Sequence, residues 1–460
     1  MFRAWQCHFY LPALALCWAS SAVAEGGALD ADAGEPTRIA LRSFSSNPSV
    51  GGGPSSVSDV SQPNYGALVH FFETAEAYTQ GEVIFSIDNW APTAPNTVLE
   101  QVGVEGDERD AAYDIGNALD PTWGLFYLSM APFHLDYERT LDWLYAGGGL
   151  ELAQRFLDER QLNVKLIPVL SSGAQVAGHF LAPLGRAECA GEPACEATQP
   201  VGLAGLCSSG WTLRFLPPAQ HILDRACDQM LAEGSIAARS LSFVNAVPGF
   251  SNLGAIQSGA VTGFEQATPM DDLATFFPEP GPAPVTAERQ NPGHKGLRFV
   301  HFPAWHQPFL IGYLLLNKTS IWDRLSPLQR RAIERAGRDS LRSTYAVSEA
   351  EQCDRLAALL RFNDGQPQLD SEGAPVLDAE GEPLPADLHL ARYGAGDLRR
   401  LQRATQDYLM ELRGGASPSR AELEYRQIHD SILAYQERTR HGWRAPSFPQ
   451  RCRKPDAPSH

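Results

Sequence analysis

The chain has 460 residues, of which 43% are hydrophobic and 20% charged, and its formal net charge is −17. That balance is typical of a globular protein long enough for more than one hydrophobic core. The acidic excess argues against ligands that need a basic surface, namely nucleic acid and anionic membranes. The same charge also fits a surface that serves solubility alone.

The N-terminus resembles an export signal. Residues 1–24 contain Arg3, then an apolar run, and then a small-residue A-x-A sequence that ends at Ala24. This order is typical of a cleavable signal peptide, so the mature protein is predicted to be periplasmic. Cys17 leaves a lipid anchor open, although the bulky Leu16 stands where such a site needs a small residue.

A βαβ unit is predicted near the start of the mature chain. Residues 25–36 are mostly Gly, Ala and Asp and are assigned to a linker. Polar and apolar residues then alternate at 37–44, which predicts a strand. A helical spacing of apolar residues follows at 66–81, and a second strand pattern at 82–88 completes the unit.

The alternation of helix and strand patterns continues along the chain. A helical pattern at 140–160 is interrupted by three glycines, and a strand pattern follows at 163–170. A second such pair comes at 221–234 and 240–247. The apolar run FLIGYLLL (309–316) suits a buried strand, because it is too short to span a bilayer.

The C-terminal region is predicted to be mainly helical. Its first helix has Ser326 as the N-cap, Pro327 in the first turn and Gln329 where it completes a capping box. Helical patterns then dominate to Glu437.

Strands that alternate with helices predict an α/β protein with mainly parallel sheets, and the length favours two lobes. The predicted lobe segments are 37–165 (lobe I, first part), 166–260 (lobe II, first part), 261–300 (lobe I return, with a Pro-rich insert at 278–296), 301–325 (lobe II return) and 326–460 (helical region, with a hairpin-like insert at 364–390).

The cysteines predict disulfides. Six cysteines follow the signal, and an exported protein reaches an oxidising compartment in which paired cysteines form disulfides. The sequence does not determine the pairing, and the assignment made is Cys189–Cys195, Cys207–Cys227 and Cys353–Cys452. A zinc site is the alternative, but no C-x-x-C motif is present.

The familiar catalytic motifs are absent from the sequence. There is no G-x-S-x-G, H-E-x-x-H or Walker A motif, and no G-x-G-x-x-G follows a strand pattern. An exported α/β enzyme that uses Glu265 as a base stays an alternative. His301 and His306 are candidate metal ligands, but their spacing is unspecific and favours structural histidines.

Three polar residues are candidates for ligand binding. Arg214 lies in the alternating stretch GWTLRF, and a buried Arg needs an anionic partner, either an internal carboxylate or a bound one. Gln175 follows the strand pattern at 163–170, and Glu265 follows another strand and turn. The ends of such strands are where α/β folds bind ligands, although Glu265 also suits a helix cap or an ion pair.

Several stretches, taken in chain order, resemble the periplasmic solute-binding proteins of TRAP (tripartite ATP-independent) transporters, closest to the branch for α-keto acids and related small carboxylates. They are LDWLYAGGGLELAQRFLDE, SSGAQVAGHF, GLCSSGWTLRF, AIQSGAVTGFEQATPMDDL and HFPAWHQPFLIGYLLLNKTSIWDRL. The resemblance covers about residues 64–360, with gaps.

The resemblance implies a periplasmic binding protein fold with two α/β lobes, crossing hinge strands and long C-terminal helices. A small organic carboxylate would be held in the central cleft and delivered to the membrane subunits of a TRAP transporter. No catalytic activity and no organic cofactor are implied. A homodimer stays open, and so does a role as a ligand sensor.

The resemblance also implies a cation beside the ligand. Gln175 and Glu265 match the side chains that hold it in this branch, and Gln266 occupies the place of a Trp whose backbone carbonyl faces it. Such oxygen ligands suit a hard cation, here Na⁺ or Ca²⁺. Gln266 departs from the family in this position, which leaves the identity of the carboxylate open.

Three further residues are assigned to the ligand by the resemblance. Arg214 matches the Arg that pairs with the ligand carboxylate, and Gln307 falls where the family has Glu or Gln. Tyr113 is matched to a Tyr that lines the pocket. His179 departs from the family's Trp at the turn after Gln175.

Overall fold

The structure is a computed structural model. It describes residues 35–45, 63–93, 98, 99, 102, 111–115, 128, 131–133, 135–188, 198–215, 217–244, 261–265, 299–361, 389–414 and 418–440. Several predicted features lie outside these residues: the signal peptide, the insert at 278–296, nearly all of the insert at 364–390, Gln266, Cys189, Cys195 and Cys452.

The described residues form twelve strands and eight α-helices. The strands are β1 (Thr37–Ser45), β2 (Val83–Thr93), β3 (Ala111–Ile115), β4 (Val164–Ser171), β5 (Gly178–Phe180), β6 (Gly185–Glu188), β7 (Thr212–Arg214), β8 (Ser242–Phe243), β9 (Gly263–Phe264), β10 (Phe299–Phe302), β11 (Ile311–Asn317) and β12 (His389–Tyr393). The helices are α1 (Pro63–Tyr78), α2 (Tyr137–Ala146), α3 (Gly149–Glu159), α4 (Gly202–Ser208), α5 (Pro217–Ala232), α6 (Pro327–Arg361), α7 (Ala395–Gly414) and α8 (Arg420–Thr439).

Local sequence signals explain several helix ends. Asp136 caps α2 by accepting a hydrogen bond from the backbone of Arg139. Gly148 has a φ of 92°, a left-handed conformation that glycine adopts without strain, and it separates α2 from α3 within the predicted helical stretch. The predicted capping box opens α6, since Ser326 and Gln329 bond each other's backbone N–H.

The strands form two sheets. The first has the order β2-β1-β3-β11-β4, and the second has the order β6-β12-β10-β5-β9-β7-β8. β1 and β2 are parallel neighbours with α1 between them in sequence, so the predicted βαβ unit is confirmed. The protein is therefore a mixed α/β structure built on two separate sheets.

The sheets are mixed, and the prediction of mainly parallel sheets was wrong. β11 is antiparallel to both β3 and β4, and β5 is antiparallel to both β9 and β10. The cause is the path of the chain, which leaves the first sheet after β4 and re-enters it at β11. A returning strand runs opposite to the strand beside it.

Strand pairing also differs from the predicted order of the lobe segments. β9 and β10 lie in the second sheet, whereas 261–300 was assigned to the first lobe. β11 lies in the first sheet, whereas 301–325 was assigned to the second. Hydrophobic alternation shows that a segment is a strand, but it does not show which sheet the strand joins.

The first sheet is covered on both faces. Tyr313 and Leu315 of β11 pack in a cluster with α2, α3 and α8, while Leu314 and Leu316 pack in another with α1 and α6. All seven residues of β11 are buried. A strand buried on both faces forms a nearly continuous apolar run, which explains FLIGYLLL.

The second sheet packs against α4, α5 and α7, and a disulfide lies in that core. Cys207 of α4 and Cys227 of α5 are joined with an S–S distance of 2.02 Å and a Cα–Cα distance of 5.4 Å. This confirms one predicted pairing. Cys353 is also disulfide-bonded, and the predicted partner, Cys452, lies outside the described residues.

Two stretches join the sheets, and we call them the crossing segments: 172–177 leads from β4 to β5, and 303–310 leads from β10 to β11. They bond to each other, because the backbone N–H of Ser172 donates to the carbonyl of Leu310 (3.1 Å) and that of Gln175 donates to the carbonyl of Pro308 (3.1 Å). The hinge predicted from the family resemblance thus has a structural counterpart here.

The long helix α6 supports the first crossing segment. Thr344 Oγ1 accepts from the backbone N–H of Ser171 at 3.0 Å, and Glu349 Oε1 accepts from that of Ala174 at 2.7 Å. No helix within the described residues is long and apolar enough to cross a membrane.

Candidate functional site

Arg214 and Glu265 are brought together by neighbouring strands of the second sheet. β7 and β9 are parallel, and Arg214, the last residue of β7, pairs with Phe264 of β9. Glu265 follows directly, and its backbone N–H donates to the carbonyl of Arg214 at 3.0 Å. The two side chains therefore start from adjacent carboxyl ends of parallel strands, the position expected for a ligand site in an α/β fold.

Arg214 and Glu265 interact electrostatically in a buried environment. Glu265 is only 4% exposed. Burial lowers the pKa of the Arg214 guanidinium from 12.5 to about 10, and the Glu265 carboxylate opposes that shift without cancelling it. Arg214 therefore stays charged at neutral pH.

His306 completes the cluster from the second crossing segment. Its Nε2 lies 2.9 Å from Glu265 Oε1, an ion-pair distance at an angle outside hydrogen-bond geometry. The ring is held edge-on by Trp305 and Phe215, whose centroids lie 5.0 and 5.5 Å away. The other ring nitrogen, Nδ1, is buried and has no hydrogen-bond partner among the described residues.

Two buried amides lie on the crossing segments. Gln175 Nε2 and both amide atoms of Gln307 lack hydrogen-bond partners within the described part of the chain. Each side chain is at most 2% exposed. A buried polar atom without a partner costs about 1–3 kcal/mol, so a cluster of them favours a bound polar ligand.

The histidines in this region differ in character. His301 Nε2 accepts from the backbone N–H of Leu184 at 2.8 Å, and its Nδ1 lies 3.1 Å from the carbonyl of Phe299. Its environment is that of a structural histidine, as the sequence favoured. His179 stacks on Phe264 of β9, the residue before Glu265, with ring centroids 4.8 Å apart.

Tyr113 lies elsewhere. It belongs to β3 in the first sheet and packs in that sheet's core. Its hydroxyl lies against Gly312 of β11, so closely that a side chain at Gly312 would collide with it. These contacts of Tyr113 are with the core of the first sheet. Gln266, the other predicted pocket residue, lies outside the described residues.

The predicted cation ligands fit a metal ion only in part. Glu265 and the amide oxygens of Gln175 and Gln307 are ligand types that Na⁺ and Ca²⁺ accept. However, Glu265 Oε1 already faces His306 Nε2 at 2.9 Å. Among the described residues, no group of three or more His, Cys, Asp and Glu is arranged to hold a metal ion.

Sequence reasoning missed the role of His306. It was considered as a metal ligand or a structural histidine, whereas the structure places it beside Glu265. The available signal was its position next to Gln307, in a segment already assigned to the site.

Comparison with known proteins identifies the fold. No protein-family model matches the chain, and no curated protein matches it significantly by sequence. Solved structures do match. One is a TRAP periplasmic solute-binding protein from Pseudoalteromonas atlantica with bound sodium and pyruvate, at 16% identity and a TM-score of 0.58, covering 88% of this chain and 95% of that one.

Two further structures give the same result. One is a TRAP transporter solute-binding protein from Bordetella bronchiseptica, a mixed-occupancy dimer with copurified calcium and picolinate. It has 16% sequence identity and a TM-score of 0.57, and the match covers 88% of this chain and 94% of that one. The other is a TRAP periplasmic solute-binding protein from Colwellia psychrerythraea with bound calcium and pyruvate, at 14% identity and a TM-score of 0.59, covering 88% of this chain and 96% of that one. The chain thus has the two-lobed α/β fold of TRAP solute-binding proteins.

Proposed function

We propose that the chain is an extracytoplasmic solute-binding protein that captures a small organic carboxylate and delivers it to a TRAP-type membrane transporter. The observation that carries the proposal is the buried cluster of Arg214, Glu265 and His306 where the crossing segments join the two sheets. The solved structures that share the fold are solute-binding proteins, which supports a binding role.

The charge of the cluster favours an anion. Burial lowers the pKa of the Arg214 guanidinium, and a ligand carboxylate beside it would oppose that shift as Glu265 does. Glu265 in turn has His306 beside it. A carboxylate matches the planar guanidinium with two parallel hydrogen bonds, and Gln175 and Gln307 offer amide groups to other oxygen atoms of the ligand.

Location and partners follow from the same proposal. The signal-like residues 1–24 support export to the periplasm, and the fold supports handover to TRAP membrane subunits. A sodium or calcium ion beside the ligand, as in solved structures with this fold, would take oxygen ligands of the kind that Glu265, Gln175 and Gln307 carry.

Arg214→Ala should weaken carboxylate binding at least about 30-fold, because truncating one partner of a buried charge pair costs about 2–5 kcal/mol. Isothermal titration with pyruvate, picolinate, pyroglutamate and D-glucuronate measures this. Arg239→Ala is the matched control: Arg239 is half-buried in the same lobe and pairs with Asp224 and Asp228. Retained affinity in Arg214→Ala would contradict the proposal.

An exported enzyme is the second candidate, favoured by the acid–imidazole contact of Glu265 and His306. It predicts turnover of the bound acid. NMR of each acid after prolonged incubation with the protein discriminates the two, because a binding protein returns its ligand unchanged.

A further inference from the structure

Phe133 packs in a different core from the residues around it. Ala131 and Leu135, two positions away on either side, belong to the core of the first sheet. The side chain of Phe133 belongs instead to the core of the second sheet, together with Trp305. The chain around Phe133 therefore reaches from one core into the other, in addition to the two crossing segments.

Phe133 is fixed against Trp305 by its backbone and by its ring. Its N–H donates to the Trp305 carbonyl at 2.8 Å, and the two rings stack with centroids 5.6 Å apart. Its φ of 54° is a left-handed conformation, which is strained for a bulky residue and persists only where the surrounding structure holds it. The hydrogen bond and the packed ring supply that hold at Phe133.

Trp305 connects this contact to the candidate ligand site. Its indole lies edge-on to the His306 ring at a centroid distance of 5.0 Å, and His306 Nε2 lies 2.9 Å from Glu265 Oε1. Gln307, the next residue, has both amide atoms buried and without a hydrogen-bond partner among the described residues. Movement of Trp305 would therefore shift the groups that this crossing segment presents to a ligand.

We propose that Phe133 is a positioning residue for the ligand site, which acts by fixing Trp305. Through that contact it keeps His306 and Gln307 in place. A ligand that meets a fixed site does not have to order these side chains when it binds, so the affinity depends on Phe133 even without a contact of its own to the ligand. This inference rests on the proposed function, since it concerns the affinity for the same ligand.

Phe133→Ala tests the inference, with Phe72→Ala as the matched control. Phe133 is 8% exposed and Phe72 is 9% exposed, and Phe72 likewise stacks on an aromatic ring, that of Phe85, at a centroid distance of 5.7 Å. Phe72 and Phe85 both lie in the core of the first sheet. Both variants should lower the urea midpoint, because each loses a buried ring.

Isothermal titration with pyruvate, picolinate, pyroglutamate and D-glucuronate separates the two variants. For an acid that the wild type binds, Phe133→Ala should weaken binding by about tenfold or more, while Phe72→Ala should stay within about threefold of wild type. A merely structural role would lower stability in both variants and leave both affinities unchanged. Wild-type affinity in Phe133→Ala, or an equal loss in Phe72→Ala, overturns the inference.

Phe133→Gly is the second variant. Glycine adopts a φ of 54° without strain, so this variant should be more stable than Phe133→Ala. It also lacks the ring, so its affinity should be as low as that of Phe133→Ala. Wild-type affinity in Phe133→Gly would show that the ring serves folding alone and would overturn the inference. If Phe133→Ala does not fold, Phe133→Gly decides.

The outcomes also separate the two proposals. A wild type that binds an acid, with Phe133 variants that bind it equally well, contradicts only the inference and leaves the proposed function standing. Binding of none of the acids by the wild type contradicts the proposed function, and the inference fails with it.

Discussion

His301 is a histidine kept neutral by its surroundings. It is fully buried in β10, and burial lowers its pKa from 6.5 to about 3 even though the carbonyl of Phe299 opposes the shift. In the unfolded chain the same side chain titrates near its ordinary value. Between about pH 6.5 and pH 3, His301 is therefore protonated in the unfolded state and neutral in the folded state.

The free energy of unfolding should consequently fall as the pH drops from about 6.5 towards 3, with His301 contributing a loss of about 2 kcal/mol at pH 5. Urea denaturation at pH 7, 6 and 5 measures the change. His301→Asn should reduce the dependence without removing it, because burial also lowers the pKa of His429 to about 4. His70→Asn, at an exposed position of α1, should leave the dependence unchanged. Equal slopes in wild type and His301→Asn would disprove the assignment.

Residues differ in how far their positions follow from sequence. The positions of Arg214 and Glu265 could be predicted, because strand alternation and strand ends direct both residues to one edge of a sheet. His306 could not, since its contact with Glu265 spans a long stretch of chain and depends on how the crossing segments pack. Tyr113, which the family resemblance matched to a pocket residue, packs in the core of the first sheet.

At the level of elements, a buried ion pair joins α3 to the C-terminal helix α8. Arg160, at the end of α3, donates from Nε and Nη2 to the two carboxylate oxygens of Glu424 at 2.9 and 2.7 Å. Glu424 is 2% exposed and also accepts from Arg420 at 3.1 Å. The Glu424 carboxylate is thus bound by two arginines where α3 contacts α8.

Arg160→Ala should lower the free energy of unfolding by about 2–3 kcal/mol, less than the full cost of breaking a buried pair because Arg420 remains. Arg413→Ala breaks an ion pair in which both Arg413 and its partner Asp430 are exposed, and it should cost less than about 1 kcal/mol. Urea denaturation of both variants gives the comparison. Equal losses would show that burial of Glu424 does not matter.

The bounds of long elements could be predicted from the sequence better than those of short ones. The capping box at Ser326 and the apolar run of β11 mark their elements clearly. β8 and β9 are only two residues long, so the strand predicted at 240–247 is far longer than β8, and two residues are too few to show a period in β9. Since β9 delivers Glu265, the geometry of the site depended on the part of the fold with the weakest sequence signal.

For the whole molecule, the family resemblance predicted two lobes, a hinge and a long helix, and the fold agrees. Alternation alone predicted parallel sheets, which was wrong because it carries no information on the route of the chain. The identity of the proposed ligand belongs to this scale too, since Glu265 follows β9 of the second sheet while Gln175 and Gln307 come from the crossing segments.

The interior position of β11 in the first sheet has a consequence for the order of folding. β11 lies between β3 and β4 but is synthesised long after both, so β4 cannot join the other strands until residues 311–317 are available. Such distant pairing slows folding. A fragment that ends at residue 300 should therefore be degraded by trypsin under conditions in which the full chain resists, and a protected fragment would show that the first lobe assembles without β11.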